Sequence, residues 1–242
     1  MSDALSIIAG YLVSWTFFEA ALMTLALTLL AMLFGMLLGI IFALIQESRI
    51  KTLRGVVLIY LWLFRGTPVL LQIIFVFNVL PVFGIVLSGF VSGVIALSLN
   101  QGAYMTEIFR SGLQAVGKQQ RIAGSALGMK QSQVMRFVVL PQALRIVVPP
   151  TGNQFMGMLK ESALVSVIAV QELLLVADQT ASANFRYLEA LSTAAIYYLA
   201  LTTIFMVIQT YIERWLAPRK HGAKVSWTQR LLRMTAQPRS SQ

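Results

Sequence analysis

The sequence predicts an all-α integral membrane protein with five transmembrane helices, on three observations. First, 57% of its 242 residues are hydrophobic and only 12% are charged, about half the roughly 25% of an ordinary soluble domain. Second, its mean hydropathy is +0.76. A soluble domain this apolar lacks the polar residues to cover its surface, and a disordered chain is poor in large apolar residues. Third, the apolar residues fall in runs that match the roughly 20 residues a helix needs to cross a bilayer.

Taken in order, the chain opens with Asp3 and no Lys or Arg before the first apolar run. It therefore lacks the positive n-region of a signal peptide, and the first hydrophobic segment is expected to be retained. Leu5, Ile8, Leu12 and Trp15 recur at helical spacing. They read either as an interfacial helix on the outer face or as an extension of the first span. Residues 20–46 are uncharged for 27 positions and form that span. Residues 66–106 are uncharged for 41, too many for one helix. Pro81 and Gly84 divide them into a second span ending near Leu80 and a third from about Ile85 to Phe109. Pro68 lacks a backbone donor, so Gly66-Thr67-Pro68 separates a cytoplasmic-side helix, about residues 53–64, from the second span. Residues 146–170 make a fourth segment, interrupted by Lys160 and Glu161, and residues 190–212 a fifth.

The 19 Lys and Arg outnumber the nine Asp and Glu, a formal +10. Their distribution explains the excess. Residues 110–145 hold six basic residues and no acid, and residues 213–242 hold seven and one acid. Residues 172–189 hold three acids and one Arg. Basic loops stay cytoplasmic, so five spans put the N-terminus outside and the C-terminus inside, and the charge calls for no nucleic-acid partner. Three regions follow: an N-terminal segment over residues 1–19, a membrane domain over 20–216 and a basic cytoplasmic tail over 217–242. Within the tail, Trp227, Leu231 and Leu232 oppose Arg230 and Arg233. It reads as an amphipathic helix on anionic headgroups or as a disordered basic tail. With no Cys and only His221, disulfides, thiolate metal sites and His-dependent triads are excluded. No metal site, catalytic residue or bound cofactor is expected.

The loop at about residues 117–141 is too patterned for a plain linker. Ile122, Ala126, Leu127 and Met129 make one apolar side of a first short helix. Gly128 sits at a C-cap or turn, and a second helix over 131–139 stops at Pro141. Such a helix–Gly–helix suits a groove on a soluble partner or packing against its own spans.

Here the chain resembles the ABC-importer permeases. Gly128, nine residues, Val138, one residue and Leu140-Pro141 match their EAA-loop pattern. Further stretches look like the polar amino acid uptake permeases of the histidine/glutamine/arginine type. These are Phe64-Arg-Gly-Thr-Pro68, Leu97-Ser-Leu-Asn100, Gly102-Ala-Tyr104 with Glu107-Ile-Phe-Arg110, Leu140-Pro-Gln-Ala-Leu-Arg145, Pro149-Pro150 with Gly152-Asn153, and Leu164-Val-Ser-Val-Ile168. The family's leading Glu falls on Ile122 and its second Ala on Gly124, which removes one polar contact to an ATPase. The resemblance implies a MetI-like, type I importer membrane domain in the bacterial inner membrane. It also implies a separate ABC ATPase dimer holding ATP and Mg, a second permease subunit in a homo- or heterodimer, and a solute-binding protein. Ala123, Ser125, Ala126, Leu127, Gly128 and Met129 would couple to the ATPase. The absence of a G-x-x-x-x-G-K-[ST] phosphate loop agrees, and this chain is not expected to be an enzyme.

Polar groups inside spans are costly and default to functional hypotheses. Gln72, Asn100, Tyr104 and Asn153, together with Asn78, Gln101 and Gln154, read as lining of a path for a zwitterion or as interhelical glue. Lys160, Glu161 and Ser162 mark a broken helix at membrane depth whose charges suit the carboxylate and amine of an amino acid. Arg65 and Glu107 make a gating or structural pair. The competing class is an ion-coupled carrier or channel working without an ATPase. A membrane-embedded enzyme is disfavoured by the lack of a His or Cys cluster and of paired intramembrane Asp.

The topology is checked by cysteines at two sites in a chain with none of its own. With Ser182→Cys or Ser132→Cys in intact cells, an impermeant thiol reagent is expected to label position 182 and leave 132 untouched. The opposite pattern inverts the topology.

Overall fold

The computed structural model describes residues 2–217, and the elements within them are all helical. The tail positions discussed above, His221, Trp227, Arg230, Leu231, Leu232 and Arg233 among them, lie outside the described residues. The α-helices are α1 (Ser2–Leu12), α2 (Trp15–Glu47), α3 (Lys51–Gly66), α4 (Val69–Asn78), α5 (Gly89–Ala115), α6 (Lys118–Ala126), α7 (Gln131–Val134), α8 (Leu140–Glu161), α9 (Leu173–Asn184) and α10 (Tyr187–Leu216). Short 3₁₀ turns follow α4 (Leu80–Phe83) and α8 (Ser162–Ile168), and a π-helical stretch (Met135–Val139) joins α7 to α8.

Helix α2 packs along α5, and the register shows how. Gly35 faces Gln101, Gly39 faces Met105, and Glu47 accepts a bond from Gln114 at 3.0 Å. The two helices are therefore parallel and aligned over their length. Helix α8 runs the other way beside α5: Val147 meets Gly112, Val165 meets Gly93, and the Ile168 carbonyl lies against Gly89. Helix α10 is antiparallel to α8, with the Phe205 ring tilted against Phe155 at a centroid separation of 4.1 Å and the Gln209 amide donating to the Pro149 carbonyl at 3.2 Å. One apolar core joins α2, α4, α5 and α8 around Leu27, Ile73, Leu97, Met105, Met158 and Val165.

Among the described residues, three helical runs are long and apolar enough to cross a bilayer: Trp15–Glu47, Gln131–Ile168 and Tyr187–Leu216. The bent pair Lys51–Gly66 and Val69–Phe83 makes a fourth if taken as one span. Several expectations change here. The break at Gly66-Thr67-Pro68 is where it was expected, with the helices on either side meeting at 104°, but the second span that follows it, α4, has only 10 residues, about 15 Å, half a hydrocarbon core. Pro141 does not stop a helix. It stands in the first turn of α8 directly after the π-helical stretch, and the helical run passes through it. The Lys160–Glu161 interruption is not a break in chain direction, because α8 tightens into a 3₁₀ turn at Ser162 and runs on to Ile168. The N-terminal segment is a separate helix rather than an extension of α2, since Ser14 caps α2 by accepting the Phe17 N–H at 3.4 Å. The acidic segment 172–189 carries α9, which buries Leu173, Val176, Ala177 and Ala181 against α2 and α10.

The close parallel contact depends on two glycines one helical turn apart. A Cβ on Gly35 would stand 2.8 Å from the Gln101 Cβ. One on Gly39 would collide with Met105 and lie 2.9 Å from its backbone carbonyl carbon, which no rotamer change relieves. Gly39→Ala is therefore expected to destabilise the protein by about 1–3 kcal/mol. Gly55→Ala, where nothing lies within 4 Å, should be neutral or slightly stabilising. Thermal unfolding of the purified variants in detergent checks the contrast, and equal midpoints would contradict the packing.

Candidate functional site

The bend between α3 and α4 creates a chemical problem. In a continuing helix the Phe64 carbonyl would accept from the N–H of residue 68, and Pro68 has none. The orphaned oxygen is met by two amides: Asn100 Nδ2 on α5 and Gln72 Nε2 on α4 each donate to it at 3.0 Å. Gln72 Nε2 also donates to the Thr67 carbonyl at 3.1 Å and hydroxyl at 2.8 Å, and Asn100 Nδ2 donates to Gln72 Oε1 at 3.0 Å. The Thr67 hydroxyl donates to the Leu63 carbonyl at 2.8 Å. Both amides are buried. Tyr60 adds a bond from its hydroxyl to the Leu99 carbonyl. Gln72 and Asn100 thus come together, and their amides hold the bend.

Beside the bend lies a charged group. Arg65 Nη1 stands 3.7 Å from Glu107 Oε2, and Arg110 Nε stands 3.8 Å from Glu107 Oε1. The Arg65 guanidinium sits 5.8 Å from the centre of the Tyr104 ring. The expected pair exists, with Arg110 as a second base that sequence reasoning assigned only to the loop. Its i,i+3 spacing from Glu107 was the available signal.

The α8 residues are less engaged. Ser162 is buried, its hydroxyl donating to the Leu159 carbonyl at 2.9 Å. Glu161 is half-buried, and Lys160 and Asn153 are exposed. None of these three side chains bonds another of the described residues. Sequence register along α5 sets Lys160 level with about Leu99, so α4, α5 and the α8 turn meet at one depth.

The two ends of the bundle differ in charge. One carries Arg49, Lys51, Arg54, Lys118, Arg121, Lys130 and Arg136; the other carries Asp3, Glu19, Glu172, Asp178 and Glu189 against Arg186. A cavity of about 670 Å³ opens at the acidic end, lined by Thr16, Glu19, Met23, Phe90, Gln171 and Val176 among others. Glu172 there is fully buried and was missed as anything but a loop charge. Its carboxylate caps α9, accepting the Leu174 N–H at 2.9 Å and the Leu175 N–H at 2.8 Å. Tyr198 of α10 donates to it at 2.7 Å, and the Leu173 N–H donates to Thr24 of α2 at 3.2 Å. Burial pushes the Glu172 carboxyl up from its ordinary value, while the Leu174 N–H, the Tyr198 hydroxyl and the Leu175 N–H pull it back.

At the basic end α6 and α7 form an elbow. Met129 N–H donates to the Gly124 carbonyl at 3.1 Å and Gly128 N–H to the Ser125 carbonyl at 3.0 Å. Gly128 adopts φ 77°, the left-handed cap that favours glycine. A Cβ on Gly124 would stand 3.0 Å from Val134, so the departure from the loop pattern at Gly124 accompanies close packing of the elbow's arms. Ala123, Ser125, Ala126 and Gly128 are exposed, Leu127 is 83% exposed and Met129 is half-buried. The apolar Ile122 is also exposed.

The family described as binding-protein-dependent transport system inner membrane component matches residues 35–218. The chain is 41% identical to the arginine transport system permease protein ArgU of Corynebacterium glutamicum over 219 residues, covering 85% of this chain and 69% of that one. A solved amino acid ABC transporter crystallised with histidines superposes with a TM-score of 0.77 at 41% identity, covering 82% of this chain and 93% of the other. The MetNI methionine ABC transporter, in an inward-facing conformation, gives 0.68 at 18% identity over 84% and 97%, a likeness of fold.

The Glu172 cap has a pH signature. A carboxyl raised by folding binds its proton more tightly folded than unfolded. Stability is therefore expected to fall as pH rises from the ordinary carboxylate value through the raised one, and to level off above it. Glu172→Gln should flatten that decline, and Glu172→Ala should lower stability by about 1–3 kcal/mol through loss of the cap and the Tyr198 bond. Unfolding midpoints across a pH series check both. Parallel pH curves for wild type and Glu172→Gln would exclude the carboxyl as their source.

Proposed function

We propose that this chain, which belongs to the family of binding-protein-dependent transport system inner membrane components, forms the path by which a polar amino acid crosses the bacterial inner membrane. The observation that carries the ATP-driven reading is the elbow. A capped turn presents exposed Leu127 at the basic end, tied to α5 by the Arg121 bond to the Leu113 carbonyl at 3.0 Å. A groove in a soluble ATPase fits it, while an ion-coupled carrier has no use for it. The ATPase is a separate subunit, and its dimer holds ATP and Mg. Ala123, Ser125, Ala126, Leu127, Gly128 and Met129 take up its movement.

We read five crossings, a count that the parallel packing of α5 on α2 supports. Since α5 accompanies α2 in parallel, it crosses wherever α2 does, and the bent pair between them is the return. The basic end then faces the cytoplasm with the C-terminus, and the acidic end with its cavity faces out towards the solute-binding protein. Lys160 is exposed at membrane depth and hydrogen-bonds no other described residue, which calls for a second permease subunit, a solute or both. In this reading Lys160 receives the carboxylate of the zwitterion and Glu161 its amine. Tyr104 and Asn153 face the path, and Gln72, Asn100 and Ser162 hold its backbone in shape.

Reconstitution with the ATPase and binding protein tests this. Gly128→Asp should abolish most ATP-dependent uptake of labelled amino acid while the permease stays inserted at normal abundance. Glu161→Gln should instead raise the substrate concentration for half-maximal uptake. Uptake that follows an ion gradient without ATP would establish the carrier reading.

A further inference from the structure

We infer that Arg65, Glu107, Arg110 and Tyr104 form a second, inner station that receives the carboxylate of the passing amino acid. The inference rests on the transport reading above and names a residue set beyond it. Two guanidiniums flank one carboxylate, leaving a net positive charge. The separations of 3.7 and 3.8 Å are too long for hydrogen bonds, and no side-chain hydrogen bond from these four residues to another described residue exists. The side chains of Arg65, Glu107 and Arg110 are 45%, 34% and 38% exposed. The planar donors of arginine fit a carboxylate two at a time, so the two guanidiniums have more donors than the Glu107 carboxylate engages.

Its depth gives it a place in the sequence of events. Glu107 lies 18 residues into α5, about 27 Å from the acidic end at 1.5 Å per residue. The antiparallel register puts Lys160 about 13 Å nearer that end than Glu107. The depth of Glu107 is close to the inner edge of a roughly 30 Å hydrocarbon core, where the half-exposed group can meet both the path and cytoplasmic water. A carboxylate handed from Lys160 would find Arg65 and Arg110 next. Glu107 competes for the same guanidiniums, which keeps the station weak enough to release, as conduction through successive sites requires. The ring of Tyr104 steadies Arg65 when its carboxylate partner changes.

The test is equilibrium binding of labelled L-arginine, L-glutamine and L-cystine to the purified whole complex, without binding protein, in nanodiscs of zwitterionic or of anionic lipid. The amino acid that the wild-type complex takes up is then compared with its carboxamide. Arg65→Gln and Arg110→Gln should each weaken binding roughly tenfold to a hundredfold, as loss of a charge-assisted bond does. Glu107→Gln should tighten it, and the carboxamide should be indifferent to all three. Arg65→Lys, which keeps the charge, guards against misfolding and should bind between wild type and Arg65→Gln. A fixed ion pair predicts otherwise: Arg65→Gln and Glu107→Gln move binding in the same direction, and the swap Arg65→Glu with Glu107→Arg restores function. Either result overturns the station, as does a response that follows lipid charge and not the solute's carboxylate. If the wild-type complex takes up no amino acid, the transport reading fails instead. If uptake responds to Glu161→Gln while binding ignores Arg65→Gln and Arg110→Gln, the station alone fails.

Discussion

The parallel contact between α2 and α5 constrains nearly everything else. Helices adjacent in space and parallel cannot be joined by a short turn; the chain between them must return the whole distance. It does so in α3 and α4, and the return is bent by 104°. A bend at Pro68 leaves the Phe64 carbonyl without a donor, and an unmet buried carbonyl costs about 1–3 kcal/mol. Donors must therefore come from a neighbour, and the neighbour is α5. Asn100 is on α5 because the bend is in α3–α4, and the bend is there because α2 and α5 run the same way.

The same chain of causes explains what the sequence made legible. Long uncharged runs revealed α2 and α10, and Gly66-Thr67-Pro68 marked the break, because proline at a helix end has one physical meaning. Charge asymmetry separated the two ends. The size of the bend was hidden, since a missing donor fixes where a helix ends and not where the chain goes next. Pro141 misled for a related reason: proline removes one backbone donor, and here a π-helical stretch precedes it and the helical run continues through it. The α8 interruption misled because two charges look like a break in a hydropathy pattern, whereas the backbone only tightened its winding at Ser162.

The site was legible as a set of residue types and illegible as a set of roles. Asn100, Gln72, Tyr104, Arg65 and Glu107 stood out because polar groups among apolar ones do. Which were spent on backbone and which remained free depended on tertiary partners. Asn100 and Gln72 spend their amides on one carbonyl, whereas Lys160 and Glu161 bond no described residue. Glu172 gave the opposite error. In the sequence it is one acid in an acidic loop. In the fold it is a buried cap that joins α9 to Tyr198 of α10 and, through the adjoining Leu173 N–H, to Thr24 of α2. Nothing local distinguishes it, because the hydroxyl it needs is 26 residues away.

The elbow and the charged centre belong to one mechanical unit. Val116 at the end of α5, Val134 in the elbow, Val139 in the π-helical stretch and Ala143 in α8 share one buried cluster. The helical run continues from Gln131 to Ile168 without a loop. A load on Leu127 therefore reaches α5 and α8 together, through packed side chains and not through a flexible linker. These two helices carry Glu107 and Arg110 on one side and Lys160 and Glu161 on the other. The opposing support is the amide clamp, which ties α5 to the bent span by side-chain bonds and leaves α8 free of them. Movement at the elbow can thus change the spacing of α8 against α5 without unmaking the bend. Because the charged groups sit on both helices, under the proposed transport reading a change in that spacing is a change in which partners a charged solute can reach.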